Sequence, residues 1–166
     1  PGELKLNNGL HIYNHGTIEA NKLSTNSNSL LYNVGKVYVT TKISVENELS
    51  VVVNDGIINA ADLNTAGSGK IENNDSVRIT GTTFVNSNDN TWVNNGHYHT
   101  GNFIYNAGSD EVINNCRLTV DEDFNINLGD NSGNGNFKMD AGSGVVTKNF
   151  NGGGNWAKNY STGWSN

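Results

Sequence analysis

One feature limits this chain more than any other: it repeats itself about every 20 residues. An Asn-x-Gly-like triplet recurs at Asn14-His15-Gly16, Asn33-Val34-Gly35, Asn54-Asp55-Gly56, Asn73-Asn74-Asp75, Asn94-Asn95-Gly96 and Asn114-Asn115-Cys116. The spacings between the asparagines are 19, 21, 19, 21 and 20. A fixed period of this length is the mark of stacked repeats, in which no single unit buries its own apolar face.

Apolar residues keep the same phase. Ile18, Val37, Ile58, Val77, Tyr98 and Leu118 stand two positions after each triplet's last residue. Ala20, Val39, Ala60, Ile79, Thr100 and Val120 follow two further on. That alternation is the signature of a strand with one face inward. A second strand, expected after a short turn, is led by Leu23, Ile43, Leu63, Thr83, Phe103 and Phe124, then by Thr25, Val45, Thr65, Val85, Tyr105 and Ile126. A third apolar patch precedes each triplet, at Ile12, Leu31, Val52, Ile71, Trp92 and Val112. The second strand is spaced 20, 20, 20, 20 and 21 while the first runs 19, 21, 19, 21 and 20, so the slack belongs to the turns and a weak 40-residue superperiod results.

Three short strands per repeat predict an all-β fold, a right-handed parallel β-helix (β-solenoid) of six to eight coils. Asn14, Asn33, Asn54, Asn73, Asn94 and Asn114 are expected to stack as a buried amide ladder at one corner. Asparagine also tolerates the left-handed conformation that a sharp corner can require. The competing reading makes each triplet a hairpin turn in an antiparallel meander or sandwich. The constancy of the spacing favours the solenoid.

Residues 1–150 read as the repeat domain. Near residues 127–136 an insertion, NLGDNSGNGN, breaks the period. A degenerate coil resumes at Phe137–Gly142, with Val145, Val146 and Phe150 as core candidates. Residues 151–166 form a Gly-rich aromatic tail, expected to be a cap or a truncated coil. Leu4 and Leu6 sit where a preceding second strand belongs. Pro1 and Asn166 read as cuts, so flanking domains are expected in a longer parent chain.

Composition narrows the partners. There are 20 Gly, one Pro, one Met, and 16% charged residues, below the ~25% of ordinary globular chains. The net charge is −6 with 10 Lys and Arg, which argues against nucleic acid, a partner that needs clustered positive charge. No apolar run approaches the ~20 residues of a membrane-spanning helix. A single cysteine, Cys116, excludes an intramolecular disulfide. It takes a glycine slot at a corner, as a packed small residue rather than a nucleophile.

Candidate chemistry is sparse. His97 and His99 flank inward Tyr98 and point outward as an H-x-H pair able to ligate a metal. Arg78 and Arg117 lie on the neighbouring coils and disfavour a cation, so these histidines read as solvated surface. His11 and His15 are ~19 Å away along the stack. Asp130, Ser132 and Asn134 resemble the first half of a calcium loop, with Gly135 at its sixth position. The twelfth position is Ala141, with Asp140 one residue early, so this is a weak metal candidate and no cofactor is expected. Asp121, Glu122 and Asp123 read as a solvated acidic turn. No paired acid array, nucleophile triad or phosphate loop emerges, and an enzyme is not expected. Trp156, Tyr160, Trp164, Tyr13, Tyr32 and Tyr38 offer surfaces for a glycan, though capping and packing account for them too. Tyr13 and Tyr32 hold equivalent positions on successive coils. Ice binding would need outward threonine arrays, and the outward positions are mixed.

The stretches VNNGHYHTGNFIYNAGSDEVINNCRLTVDEDFNINLGD and FKMDAGSGVVTKNF resemble the Asn/Gly-rich repeat region of Bacteroidetes cell-surface proteins that carry a LruC-type domain. The resemblance extends over residues 5–150. It implies an exported, often lipoprotein-like protein at the cell surface, and transfers no catalytic residues. The LruC-type domain itself is not evident. The expected role is a structural or adhesin-like surface scaffold or stalk, extracellular or on the outer membrane, with a glycan or surface protein as partner. The alternative is a carbohydrate-binding or polysaccharide-degrading β-helix module.

Overall fold

The computed structural model describes residues 1–47, 49–86, 90–107, 111–128, 136–153 and 164–165. In chain order its strands are β1 (Glu3–Leu6), β2 (His11–Asn14), β3 (Thr17–Thr25), β4 (Leu30–Asn33), β5 (Lys36–Glu46), β6 (Val51–Asn54), β7 (Ile57–Ala66) and β8 (Lys70–Asn73). They continue as β9 (Ser76–Asn86), β10 (Thr91–Asn94), β11 (His97–Ala107), β12 (Glu111–Asn114), β13 (Arg117–Leu128), β14 (Asn136–Met139), β15 (Gly144–Gly153) and β16 (Trp164–Ser165). The odd-numbered strands and β16 form one parallel sheet, and the short even-numbered strands from β2 to β14 form a second. The chain is a parallel β-solenoid of about six turns, with about 20 residues per coil.

Register follows the repeat. Ile18 lies beside Val37, Leu23 beside Ile43, and Leu31 beside Val52. Leu4 and Leu6 pair with Leu23 and Thr25, which places β1 in the second-strand column. The five inward columns are buried from Leu31 to Leu118, with the first coil's Ile12 and Ile18 only half-covered, since among the described residues no strand stacks on one side of them. The core changes character along the stack. Aliphatic residues fill the early coils, and edge-on aromatic contacts link Trp92, Phe103, Phe124 and Phe137 in the later ones.

Each coil has two strands rather than the expected three. The first and second run on as one long strand, and the expected turn between them is a bulge. Between Ala20 and Leu23 the bulge holds two residues, and between Val39 and Ile43 it holds three. The alternation continues down the stack, producing the register shifts between neighbouring long strands. The opposite corner compensates: Leu31 follows Thr25 by six positions, Val52 follows Val45 by seven, Ile71 follows Thr65 by six and Trp92 follows Val85 by seven. Over these four loops a short loop is followed by a wide bulge and a long loop by a narrow one, whereas the next loop, Tyr105 to Val112, spans seven positions and precedes the wide bulge between Val120 and Phe124. The 40-residue superperiod is this complementary pair.

Side chains stitch each bulge to its neighbour. Asn21 Oδ1 accepts from Thr40 Oγ1 at 2.8 Å, Asp62 Oδ1 from the Thr82 amide at 2.8 Å, and Asn102 Oδ1 from the Asp123 amide at 3.2 Å. The extra residue of a wide bulge would otherwise leave a ladder group unpaired.

At the triplet corner the asparagines form the ladder. Nδ2 of Asn14 donates to Oδ1 of Asn33 at 2.6 Å, and the chain continues through Asn54, Asn73 and Asn94 to Asn114 at 2.7–2.8 Å. Each amide also reaches a backbone carbonyl on the following coil, as Asn54 does to Ser76 O at 3.0 Å. None of the six adopts positive φ. The left-handed residues, among them Asn8, Ser27, Asn28, Asn47, Leu49 and Gly67, lie chiefly in the loops between the long and short strands. Asparagine holds the triplet corner for its side-chain hydrogen bonds, not for backbone tolerance. The glycine is there for close approach: a Cβ on Gly56 would lie 2.3 Å from Gly35 O. The ladder ends where Met139 takes the slot opposite Asn114.

Past the insertion one assignment changes. Val145 is buried opposite Leu118 and Phe137 opposite Val112, but Val146 pairs with Thr119 and is 38% exposed. Thr147 takes the inward slot, because period-2 alternation lets only one of two adjacent valines face the core.

Candidate functional site

Side chains at the first and third positions of each long strand face outward, so two columns run along that sheet. The first reads Thr17, Lys36, Ile57, Ser76, His97, Arg117 and Gly144. The second reads Glu19, Tyr38, Asn59, Arg78, His99, Thr119 and Val146. In β9, β11 and β13 these columns bring together Ser76, Arg78, His97, His99, Arg117 and Thr119 around a shallow, open depression of about 420 Å³. Arg78 and Arg117 are the chain's two arginines. They stand on either side of the coil that carries both histidines, at diagonal corners of the patch.

Ion pairing is uneven over the described residues. Lys5 and Lys22 pair with Glu3, Lys70 with Glu72, Lys138 with Glu111, and Lys148 with Glu122. Hydrogen bonding from Lys22 holds the Glu3 carboxyl below its usual range, and bonding to Glu122 raises Lys148. Among the described residues neither arginine forms an ion pair, and both are exposed. The nearest acidic contact goes to His99, whose Nε2 lies 2.7 Å from Asp121 Oδ1. The His99 ring is therefore held in place, not simply solvated as its sequence context suggested. His97 remains exposed between Ser76 and Arg117.

The acidic run is likewise more specific than a solvated turn. Asp121 engages His99, Glu122 engages Lys148 at 2.7 Å, and Asp123 accepts from Asn149 at 2.9 Å. Each partner lies on an adjacent coil, a relation that appears once the repeats are stacked.

Other candidates separate in space. Tyr13 and Tyr32 neighbour each other on the outer face of the short-strand sheet, with ring centroids 6.1 Å apart. Tyr38 faces outward from the long-strand sheet instead. The Tyr32 hydroxyl bonds Asp55, which raises its pKa. Cys116 is free and half-buried at its corner. His11 and His15 stay on the first coil, remote from His97. Asp130, Ser132 and Asn134, with Trp156 and Tyr160, lie outside the described residues. Among the described residues no three His, Cys, Asp or Glu side chains are grouped to hold a metal ion.

In the sequence Tyr98, Thr83 and Thr100 are separate core slots, and the structure joins them. Thr83 Oγ1 lies 3.0 Å from the Tyr98 hydroxyl and 3.0 Å from Thr100 Oγ1, and Thr100 bonds Asn102 O at 2.8 Å. Burial pushes the Tyr98 phenol well above its ordinary pKa. The available signal was a tyrosine in an apolar column beside two threonines in others, since a buried hydroxyl needs a partner. This cluster is closed to solvent and belongs to the core. No protein family, curated protein or solved structure matches the chain.

Proposed function

We propose that this protein is a non-catalytic scaffold, a stalk or adhesin-like element displayed outside the cell. The observation that carries the reading is the asparagine ladder, six amides hydrogen-bonded in series from Asn14 to Asn114 along the whole regular stack. Recurring polar chemistry is used for cohesion between coils, and outward side chains vary from coil to coil. Six coils at ~4.8 Å each make a rod roughly 29 Å long. A buried, self-satisfied polar ladder of this kind suits a spacer that must keep its shape. The resemblance to exported surface proteins supports the same placement. An antibody against the folded solenoid should label intact producing cells. Labelling that appears only after lysis would overturn the proposed display, and release of reducing ends from a polysaccharide panel would overturn the non-catalytic reading.

A further inference from the structure

We infer that the depression bounded by Arg78, His97 and Arg117 binds an acidic polysaccharide, with the two guanidiniums each taking a uronate carboxylate of one chain. This goes beyond the scaffold reading, and binding in solution does not depend on where the protein is displayed.

Four observations carry it. First, both arginines of a chain with net charge −6 lie on one patch. Second, neither is paired with a carboxylate among the described residues, whereas five lysines are. Lys36 and Lys42 also lack an ion pair, but they sit on the second coil, Lys36 two coils before Ser76 in the same column, and neither lines the depression. A guanidinium is a planar fork suited to bidentate contact with a carboxylate, and an unpaired one is ready for a ligand. Third, the nearby Asp121 is committed to His99, and Asp75 sits at the corner preceding Ser76 without reaching either arginine within ion-pair distance. Fourth, the exposed ring of His97 lies on the coil between the arginines, and the hydroxyls of Ser76 and Thr119 take the other two corners of the patch. They present a flat ring and polar groups of the kind that sugar faces and sugar hydroxyls meet.

The geometry selects among polyanions. Arg78 and Arg117 are two coils apart in adjacent columns, two residues along the strand, which puts their Cα atoms roughly 12 Å from each other. That separation lets each guanidinium take its own carboxylate on a polymer with spaced charges, and the monomer serves as the comparison for one small anion. An acidic peptide joining by strand addition is disfavoured, because β9, β11 and β13 are interior strands with both edges paired. Nucleic acid would require a far more basic surface than this chain has.

The test is titration calorimetry of the intact protein with polygalacturonate, its fully methyl-esterified form, and free galacturonate. Polygalacturonate should bind, with affinity falling as salt rises, and the esterified polymer and the monomer should bind at least about tenfold more weakly. Arg78→Gln/Arg117→Gln should weaken polymer binding by about tenfold or more. Lys36→Gln/Lys42→Gln, which removes the same charge elsewhere, should change it less than about twofold. Arg78→Lys/Arg117→Lys keeps the charge without the fork and should fall between the two. Absence of polymer binding, equal losses in the arginine and lysine variants, or equally tight binding of ester or monomer would each overturn the inference. Melting curves matching the parent protein establish that the variants are folded.

Discussion

Gly56 and Gly16 occupy one slot in the repeat but face different surroundings. A methyl group on Gly56 meets backbone at 2.3 Å, while one on Gly16, at the start of the stack, meets nothing within 4 Å. Gly56→Ala should therefore cost about 2–3 kcal/mol through overpacking, and Gly16→Ala should stay within about 0.5 kcal/mol of the parent. Urea unfolding of the two variants checks the contrast, and equal costs would contradict the close-approach account. Thr65 presents the opposite case. Its hydroxyl is buried with no hydrogen-bond partner among the described residues, in a column where Val45 and Val85 are its neighbours. Thr65→Val removes an unpaired polar group with little change of shape and should stabilise by about 1 kcal/mol. A loss of stability in the same experiment would mean that the hydroxyl is satisfied.

Among the elements, β9 and β11 show how a polar group enters an apolar column. Thr83 takes a slot held by Leu63 and Phe103 on the adjoining coils, and its smaller side chain leaves room for the Tyr98 hydroxyl. Burial penalises the phenolate and raises the pKa of Tyr98, so the folded state keeps that phenol neutral. The unfolded phenol titrates near its ordinary value of ~10. Below that value both states hold the proton and the contribution is complete. Above it the unfolded chain loses its proton first, binds fewer protons, and is favoured as pH rises. Stability should therefore decline above about pH 10, and Tyr98→Phe should make the decline shallower. Urea midpoints at about pH 8 and about pH 10.5 measure this, and identical slopes in parent and variant would rule it out.

For the whole molecule, the repeating unit is two coils rather than one, because a narrow bulge must seat beside a wide one. Asp62 accepts from Thr82 because one belongs to a narrow bulge and the other to a wide one. Inserting a second copy of residues 43–82 preserves that alternation and adds two stacked coils. Inserting a second copy of residues 43–62 places two narrow bulges side by side. The first insertion should raise the melting temperature, since solenoid stability accumulates with matched interfaces. The second should lower it by roughly 5 °C despite the added coil. Shifts of the same sign and size would show that the single coil is the true unit.

The columns were legible in the amino-acid sequence by itself. In a parallel stack each slot meets the same slot one coil away, so the demand on Val37, Ile58 and Val77 is repeated and readable without coordinates. The asparagine positions could be read in the same way. The long-strand bulges could not, because whether two or three residues bend or turn depends on acceptors such as Asn21 and Asp62 supplied by the preceding coil. Nor could the reason for glycine, which is a carbonyl on the neighbouring coil, or the adjacent-valine choice at Val146. The arginine patch was half legible: stacking placed Arg78 and Arg117 near His97, but their freedom from carboxylates follows from where Asp121 turns. Side-chain type along a column is a local, repeated requirement. Pairing across coils and the shape between side chains are decided only when the stack is assembled.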